Sequence, residues 1–277
     1  MGISLATDFK PYVDEQFSTE SRKSLLTNQE FDWTGAHSIK VYKVGTSVMN
    51  DYDRGGTGAN RSRYGKIQGL DATTEEFTLK RDRSFTFAVD TLDLDETKGT
   101  LGAAAALARQ NREVCIPEVD SYTYAIMCAG AGNKPAVKAL SAENIADEIL
   151  VANTALDDAE VPEVGRVLVV TPTVYKFMKQ SKDIVMETDI GNDLRLKGVI
   201  SMVDGATVVK VPHNRVPAGF GFMLAHPVAT VAPTKLEDFL VHKNPPGISG
   251  TLVEGRICYD AFVLENKTKA IYYQAME

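Results

Sequence analysis

The alternation of apolar and polar positions first becomes regular in the segment SIKVYKV, residues 38–44. Its apolar side chains Ile39, Val41 and Val44 approximate the two-residue period of a half-buried β-strand. A second alternating run, EEFTLKRDRSFTFAVD at residues 75–90, predicts a partner strand. The connection between them is long, polar and rich in glycine, which favours an extended β-hairpin with a flexible tip. The glycines of the predicted tip are Gly55, Gly56 and Gly58.

Helical periodicity replaces this alternation after Thr97. Apolar residues then recur at the spacing that places them on one face of a long helix. Pro117 is expected to kink or interrupt that helix because proline lacks an amide donor and clashes with the preceding turn. Gly130 and Gly132 are expected to end it. The predicted apolar face consists of Leu101, Ala104, Ala108, Cys115, Val119, Tyr122 and Ile126.

The rest of the chain alternates short apolar runs with turn signals. Ser141 is a candidate cap for a second helix, and RVLVV predicts a buried strand followed by a helix that starts at Thr171 and Pro172. The apolar face of the second helix is Ile145, Ile149, Ala152 and Leu156. Further strands are predicted at residues 199–203, 206–211, 221–225, 239–242, 252–265 and 270–273. Helices and strands in this order predict an α+β fold.

Residues 1–35 precede the first strand and are predicted to form an arm. Their isolated apolar side chains would be costly to leave in water. Packing on the same chain or across a neighbouring copy would both satisfy that requirement, and the second is preferred. These side chains include Phe9, Tyr12, Val13 and Phe17.

The composition of the 277 residues, with 44% hydrophobic and 24% charged residues, is that of a folded protein. A net charge of -7 argues against a protein that mainly grips a phosphate backbone, since that task concentrates Lys and Arg. The odd set of Cys115, Cys128 and Cys258 lacks metal-site spacing and predicts small core residues in a reducing compartment. No export signal is found, and no segment approaches the roughly 18 apolar residues of a membrane span.

The sequence contains no recognised catalytic signature. Residues 55–58, GGTG, lack the Lys and Ser or Thr that follow the last glycine of a phosphate-binding loop. There is no GxSxG, CxxC or GxGxxG, and the four histidines have no ligand spacing, although a fold could bring His213 and His226 together. The pairs Asp157–Asp158 and Glu75–Glu76 are predicted to be solvated charge. No catalytic residue, cofactor or metal ligand is therefore predicted.

The most distinctive charge feature is a basic cluster in the predicted hairpin loop. No acid interrupts it between Arg54 and Gly69. Because the loop is long enough to leave its own domain, the cluster is predicted to pair with acids on an adjacent subunit. Its members are Arg54, Arg61, Arg63 and Lys66.

Three segments resemble parts of a known shell subunit. Residues 166–180, RVLVVTPTVYKFMKQ, are similar to the strand, proline and helix of its axial domain. Residues 205–229, GATVVKVPHNRVPAGFGFMLAHPVA, are similar to its later strands, and residues 252–274, LVEGRICYDAFVLENKTKAIYYQ, match its closing strands. With the arm, hairpin and long helix in this order, the chain resembles the major capsid protein of tailed bacteriophages, which has the Hong Kong 97-type fold.

The resemblance implies a division of the chain into an arm, an extended loop and two domains. The implied parts are the N-terminal arm at 1–35, the extended loop at 36–90, a peripheral domain with a spine helix at 91–133 and 236–261, and an axial domain at 134–235 and 262–277.

The resemblance also implies partners. The protein is expected to form hexamers and pentamers of a virion shell assembled in the bacterial cytoplasm. Many family members begin with a long helical scaffolding segment, and the short arm here implies a separate scaffolding protein. A portal, a decoration protein where the phage has one, and packaged DNA held without sequence specificity are further expected partners. No membrane or cofactor is expected.

Two other classes of protein compete with this interpretation. An encapsulin-like nanocompartment resembles the same fold but encloses enzymes instead of a genome. Neighbouring portal and terminase genes would favour the phage, whereas an adjacent enzyme with a docking tail would favour the compartment. A cytosolic α/β enzyme with an unrecognised site would instead form a small, discrete oligomer.

Reversing Arg61 and Arg63 to Glu is expected to impair particle formation without unfolding the subunit, because the loop would lose its attraction to acids on a neighbour. Electron microscopy measures the particles and circular dichroism the fold. Unchanged assembly would dismiss the loop contact.

Overall fold

The computed structural model describes residues 21–28, 38–56, 62–65, 69, 72–96, 102–181 and 199–277. The chain divides into two compact units, one formed by residues 33–79 and the other by residues 1–32 and 80–277.

The described elements combine helices with mainly antiparallel strands, which confirms the α+β class. The strands are β1 (Ser38–Val44), β2 (Ala72–Thr78), β3 (Arg81–Asp90), β4 (Val167–Val170), β5 (Val199–Val203), β6 (Ala206–Lys210), β7 (Phe220–Ala225), β8 (Thr230–Val231), β9 (Thr234–Lys243), β10 (Gly250–Tyr259), β11 (Phe262–Val263) and β12 (Ile271–Ala275). The helices are α1 (Thr91–Glu96), α2 (Ala103–Gln110), α3 (Ile116–Gly130), α4 (Ile145–Asp157) and α5 (Pro172–Gln180), with short 3₁₀ turns between some strands.

The smaller unit contains the predicted hairpin, an antiparallel pair of β1 and β2. Lys43 on β1 forms a 3.1 Å ion pair with Glu75 on β2. The pair lies diagonally across the ladder, because Val41 is the residue directly opposite Glu75.

The run at residues 75–90, predicted as one strand, is two strands. The break falls between β2 and β3, where the amide of Lys80 donates to the carboxylate of Asp260 at 2.8 Å. β2 continues the hairpin with β1, whereas β3 pairs with β10 in the larger unit. Alternation of side chains predicted the strand conformation correctly, but it carries no information about which partner each half selects.

The larger unit is centred on a five-stranded sheet with the order β12-β7-β4-β6-β5. β4 and β6 are parallel, and the other pairs are antiparallel. Every side chain of β4 and β7 is buried, so both faces of the sheet centre are covered. This explains why RVLVV is a continuous apolar run without alternation.

Helices cover the two faces of this sheet. Val167, Val169 and Val209 pack with side chains of α3, including Tyr124 and Met127. The opposite face, including Leu168, Val170 and Val208, packs against α4 and α5. The predicted apolar face of α4 is confirmed, since Ile145, Ile149, Ala152 and Leu156 are all buried.

The predicted long helix is present and is interrupted by one π-turn. α2 continues through Asn111–Cys115 in π geometry into α3, and the amide of Ile116 donates to the carbonyl of Asn111. Pro117 is the second residue of α3. The extra residue in the turn lets the backbone pass the proline, which lacks a donor and crowds the turn before it. The helix therefore continues in a changed register.

The starts of α4 and α5 show how local sequence sets helix boundaries. Thr171 Oγ1 accepts a hydrogen bond from the amide of Val174, and Pro172 is the first residue of α5, both as predicted. α4 starts later than predicted, because Ser141 and Asn144 form a hydrogen-bonded turn in front of the helix. The amide of Ser141 donates to Asn144 Oδ1, and the helix begins at Ile145.

A second, three-stranded sheet with the order β3-β10-β9 packs beside the start of α3. Gly255 in its central strand lies opposite both Phe85 and Phe239. The two rings are 6.1 Å apart between centroids, and a Cβ built on Gly255 would lie 2.3 Å from Phe85. The two aromatic side chains therefore occupy the space that a side chain at position 255 would need.

Replacing Gly255 with Ala is expected to destabilise the fold by about 1–3 kcal/mol, because the new methyl group overpacks the two rings. Urea unfolding followed by circular dichroism measures the change. Gly69→Ala is the matched control, since no atom of the described residues lies within 4 Å of a Cβ there. Equal stabilities for both variants would show that the rings can move aside without cost.

Candidate assembly surfaces

The described part of the hairpin loop is tied across its base by backbone bonds. The amide of Asp53 donates to the carbonyl of Arg63 at 2.9 Å, and the Asp53 carboxylate accepts from the amide of Gly56 at 2.9 Å. Gly56 has a φ of +65°, a left-handed conformation that favours glycine. These bonds fix the backbone next to Arg54 and at Arg63, two of the loop's basic residues.

Arg54 and Arg63, two of the predicted contact residues, are both exposed. The guanidinium of Arg63 lies beside the Gly56 turn, with Nε 3.7 Å from the position of a Cβ there. Arg61, Lys66 and Gly58 lie outside the described residues. The predicted role of the basic cluster in subunit contact, and of the glycines in a flexible tip, stays a prediction.

The loop also exposes large apolar side chains that the sequence analysis did not single out. Met49 is 94% exposed and Val48 is 74% exposed. The rings of Tyr52 and Tyr64 meet edge to face, with 5.1 Å between centroids, and both stay largely exposed. Such a group of apolar side chains in water is typical of a surface that another protein covers. The adjacent Val48 and Met49 in an otherwise polar connection were the available sequence signal.

The N-terminal stretch 21–28 packs on its own chain, which corrects the preferred placement of this part of the arm. Leu26 is fully buried in the core beside α3, and the amide of Asn28 donates to the carbonyl of Thr230 at 2.7 Å. Burial of Leu26 removes its side chain from water without a neighbouring subunit. The rest of the predicted arm, residues 1–20 and 29–35, lies outside the described residues.

A buried ion pair holds this stretch against α3. Asp120 on α3 binds Arg215 at 2.8 Å, and Ser21 donates to the other carboxylate oxygen of Asp120 at 2.5 Å. Burial raises the pKa of Asp120, while the bond from Ser21 and the charge of Arg215 oppose that rise. Burial also disfavours the charged form of Lys23 and so lowers its pKa, whereas the negative charges of Asp120 and Glu237 oppose this shift. Asp120 thus links three segments that are distant in sequence.

A second network, centred on Asp260, joins the three-stranded sheet to α3. Its carboxylate accepts from the hydroxyl of Tyr122 at 2.7 Å, in addition to the amide of Lys80. Arg81 lies over the Tyr122 ring at 4.5 Å, a cation–π contact. Asp260 therefore fixes the point where β3 begins, after the hairpin strand has ended.

One carboxylate of each pair predicted to be solvated has a structural partner. Asp157 binds buried Arg166 at 2.6 Å, and Glu75 binds Lys43. Neither Asp157–Asp158 nor Glu75–Glu76 is thus simply a solvated pair, because one member of each neutralises a cation brought in from another element.

The histidines and cysteines of the described residues have ordinary structural roles. His213 contacts Thr173 at 3.0 Å, whereas His226 bonds to the backbone of Val164 and Val228, and burial lowers its pKa. Within the described ranges, no cluster of His, Cys, Asp and Glu could hold a metal ion. Cys115 and Cys128 are buried, as predicted, and burial raises the pKa of Cys128 to about 12. Cys258 is only partly buried.

No helix in the part of the chain that the structure describes is long and apolar enough to cross a membrane.

Comparison with known proteins identifies the fold. No family model and no curated protein matches the sequence. Among solved structures, the capsid of Cyanophage P-SCSP1u matches with a TM-score of 0.72 at 13% identity, over 99% of this chain and 93% of that one. A chain from Mycobacterium phage Che8 matches with a TM-score of 0.68 at 20% identity, over 98% and 96%. A virus-like particle from Pyrococcus furiosus gives 0.51 at 12% identity, over 86% of each chain.

The two phage matches span 98% and 99% of the chain, so the arrangement of its elements is that of these phage chains. The chain has the Hong Kong 97-type fold, which confirms the fold predicted from the sequence.

Replacing Asp120 with Asn is expected to destabilise the subunit by about 3–5 kcal/mol, because buried Arg215 loses the charge that opposes its own. Urea unfolding measures the loss. Asp158→Asn, an exposed acid, is the matched control and should change stability by less than about 0.5 kcal/mol. A similar small effect at Asp120 would contradict a stabilising role for the buried pair.

Proposed function

We propose that this chain is the major capsid protein of a tailed bacteriophage, a structural subunit that self-assembles into an icosahedral head enclosing double-stranded DNA. The observation that carries the proposal is the fold match to the cyanophage capsid over 99% of this chain, together with the match to the Mycobacterium phage chain over 98%. The match extends over almost all of the 277 residues, so nearly every element described above belongs to the shared fold. The proposed protein is structural and is not an enzyme.

The exposed loop residues support self-association. A shell subunit must make many moderate contacts with its copies, since weak interfaces let misplaced subunits dissociate while their sum holds the particle. Val48, Met49 and Tyr64 offer apolar surface, and Arg54 and Arg63 add charge around it. An apolar centre with a charged rim is the usual composition of a protein interface.

The proposal includes the domain division and the partners that the resemblance implies. The extended loop at 36–90 would contact a neighbouring subunit, with the peripheral and axial domains forming the shell wall. A separate scaffolding protein, a portal and packaged DNA on the inner face would be its other partners. The protein would be part of the virion, after assembly in the bacterial cytoplasm.

A second candidate function is a nanocompartment shell that encloses protein cargo. The match to the virus-like particle from Pyrococcus furiosus favours it, but the TM-score of 0.51 is lower than the 0.68 and 0.72 found for the phage chains. The contents of purified particles distinguish the two, because a phage head packages DNA when its portal and terminase are present.

Electron microscopy of the protein, expressed with and without its candidate scaffold, is expected to show shells, tubes or sheets. Val48→Ser with Met49→Ser should raise the protein concentration needed for assembly by tenfold or more, since each tenfold change corresponds to about 1.4 kcal/mol and these side chains are the most exposed apolar pair in the described loop.

Val137→Ser with Val164→Ser is the matched control, because both valines are exposed but lie outside the loop. A small, discrete oligomer under every condition, unaffected by either double variant, would contradict the proposal and favour an enzyme.

A further inference from the structure

α4 and α5 pack on the same face of the five-stranded sheet, and their outward surfaces carry opposite charge. The exposed positions of α4 recur at helical spacing and form one stripe directed away from the sheet. Its centre is apolar, with Leu150 and Val151 each 53% exposed. We call the following residues the acidic surface: Glu143, Asp147, Leu150, Val151 and Asp158.

The exposed surface of α5 and the end of β6 is basic. Lys176 and Lys179 face outward from α5, and Lys210 is exposed at the end of β6. The ammonium groups of Lys179 and Lys210 lie 5.7 Å and 5.6 Å from the ring centre of Tyr175. Two positive charges therefore lie within cation–π distance of the same aromatic ring. The basic surface is defined as Lys176, Lys179 and Lys210.

Neither surface is neutralised within the described part of the chain. Other charges beside α4 are paired, since Lys138 binds Glu148 and Arg166 binds Asp157. None of the charged residues of the two surfaces forms an ion pair with any residue that the structure describes. The chain thus pairs Glu148 and Asp157 of α4 with cations, and it leaves the acidic surface and the basic surface without an ion pair to any described residue.

Local helix stability accounts for Asp147, which lies in the first turn of α4 where a negative charge is favourable, but not for Asp158 or for the exposed apolar residues. Asp158 is the C-terminal cap residue of α4, and the last turn of that helix contains no basic residue. A negative charge at a helix C-terminus is unfavourable with respect to the helix dipole. Exposed Leu150 and Val151 do not stabilise the isolated subunit either, because they remain in water. A partner that covers the surface would account for both features.

We propose that the acidic surface of one copy docks on the basic surface of the next copy. This inference rests on the proposed function, since it names the contact by which shell subunits associate. The two surfaces carry opposite charge on one chain, so a second copy supplies the complementary surface without any other protein. Contact between two different patches is head to tail, and such contacts close into rings when the rotation allows.

The test uses two oppositely reversed variants of the full chain. The acid-reversed variant carries Glu143→Lys, Asp147→Lys and Asp158→Lys, and the base-reversed variant carries Lys176→Glu, Lys179→Glu and Lys210→Glu. Each variant alone should associate at least tenfold more weakly than the unchanged protein, because both of its surfaces then have the same sign. An equimolar mixture should recover association, since each variant offers the charge that the other lacks.

Sedimentation velocity at low and high salt measures association, and circular dichroism confirms that each variant is folded. The control variant matches the base-reversed variant in net charge but changes other exposed sites, and it should leave association unchanged. It carries Lys243→Glu, Lys267→Glu and Lys269→Glu. Recovery in the mixture also shows that neither variant has simply lost its fold.

Normal association of either variant alone, or no recovery on mixing, would overturn the docking contact. Normal assembly of the base-reversed variant with loss of retained DNA would assign the lysines to nucleic acid instead. Salt-sensitive association of the unchanged protein without shells would count against the proposed function while supporting this contact.

Discussion

Burial of the five-stranded sheet on both faces is the constraint on which the larger unit depends. β4 and β7 have no exposed side chain, so helices must cover each face of the sheet. α3 covers one face, and α4 with α5 covers the other. Once the inner sides of α4 and α5 are committed to the sheet, only their outer sides remain for contact with another molecule. The positions available for assembly are therefore set by the packing of the core.

Two buried carboxylates fix the segments that the sheets cannot hold by themselves. Asp120 joins the N-terminal stretch, α3 and the turn that contains Arg215, while Asp260 joins Lys80 and Tyr122. A buried carboxylate requires partners, so each one selects the neighbours that can donate to it. These buried contacts hold the segments of the subunit in one arrangement. The exposed surfaces of the loop and of the helices do not contribute to that arrangement.

Local features of the fold could be predicted from the sequence, and long-range pairings could not. Thr171 and Pro172 start α5 because their preferences act within one turn, and Pro117 interrupts the long helix for the same reason. By contrast, β3 pairs with β10, and Arg166 neutralises Asp157, through contacts that no local pattern contains. The basic loop cluster was visible as a run of charges, but the exposure of Met49 depends on the folded chain.

The π-turn at Asn111–Cys115 has a consequence for how this helix can change in evolution. A π-turn contains one residue more than the α-helical path it replaces. Deleting a residue there would restore regular α-helical geometry and leave α2 and α3 in their present orientations, because the wider turn absorbs the extra residue. If the same residues instead formed an uninterrupted α-helix, α2 would be rotated by about 100° relative to α3, since each residue of an α-helix advances by that angle. The π-turn therefore lets the chain hold one additional residue while both halves of the helix keep the faces that they present.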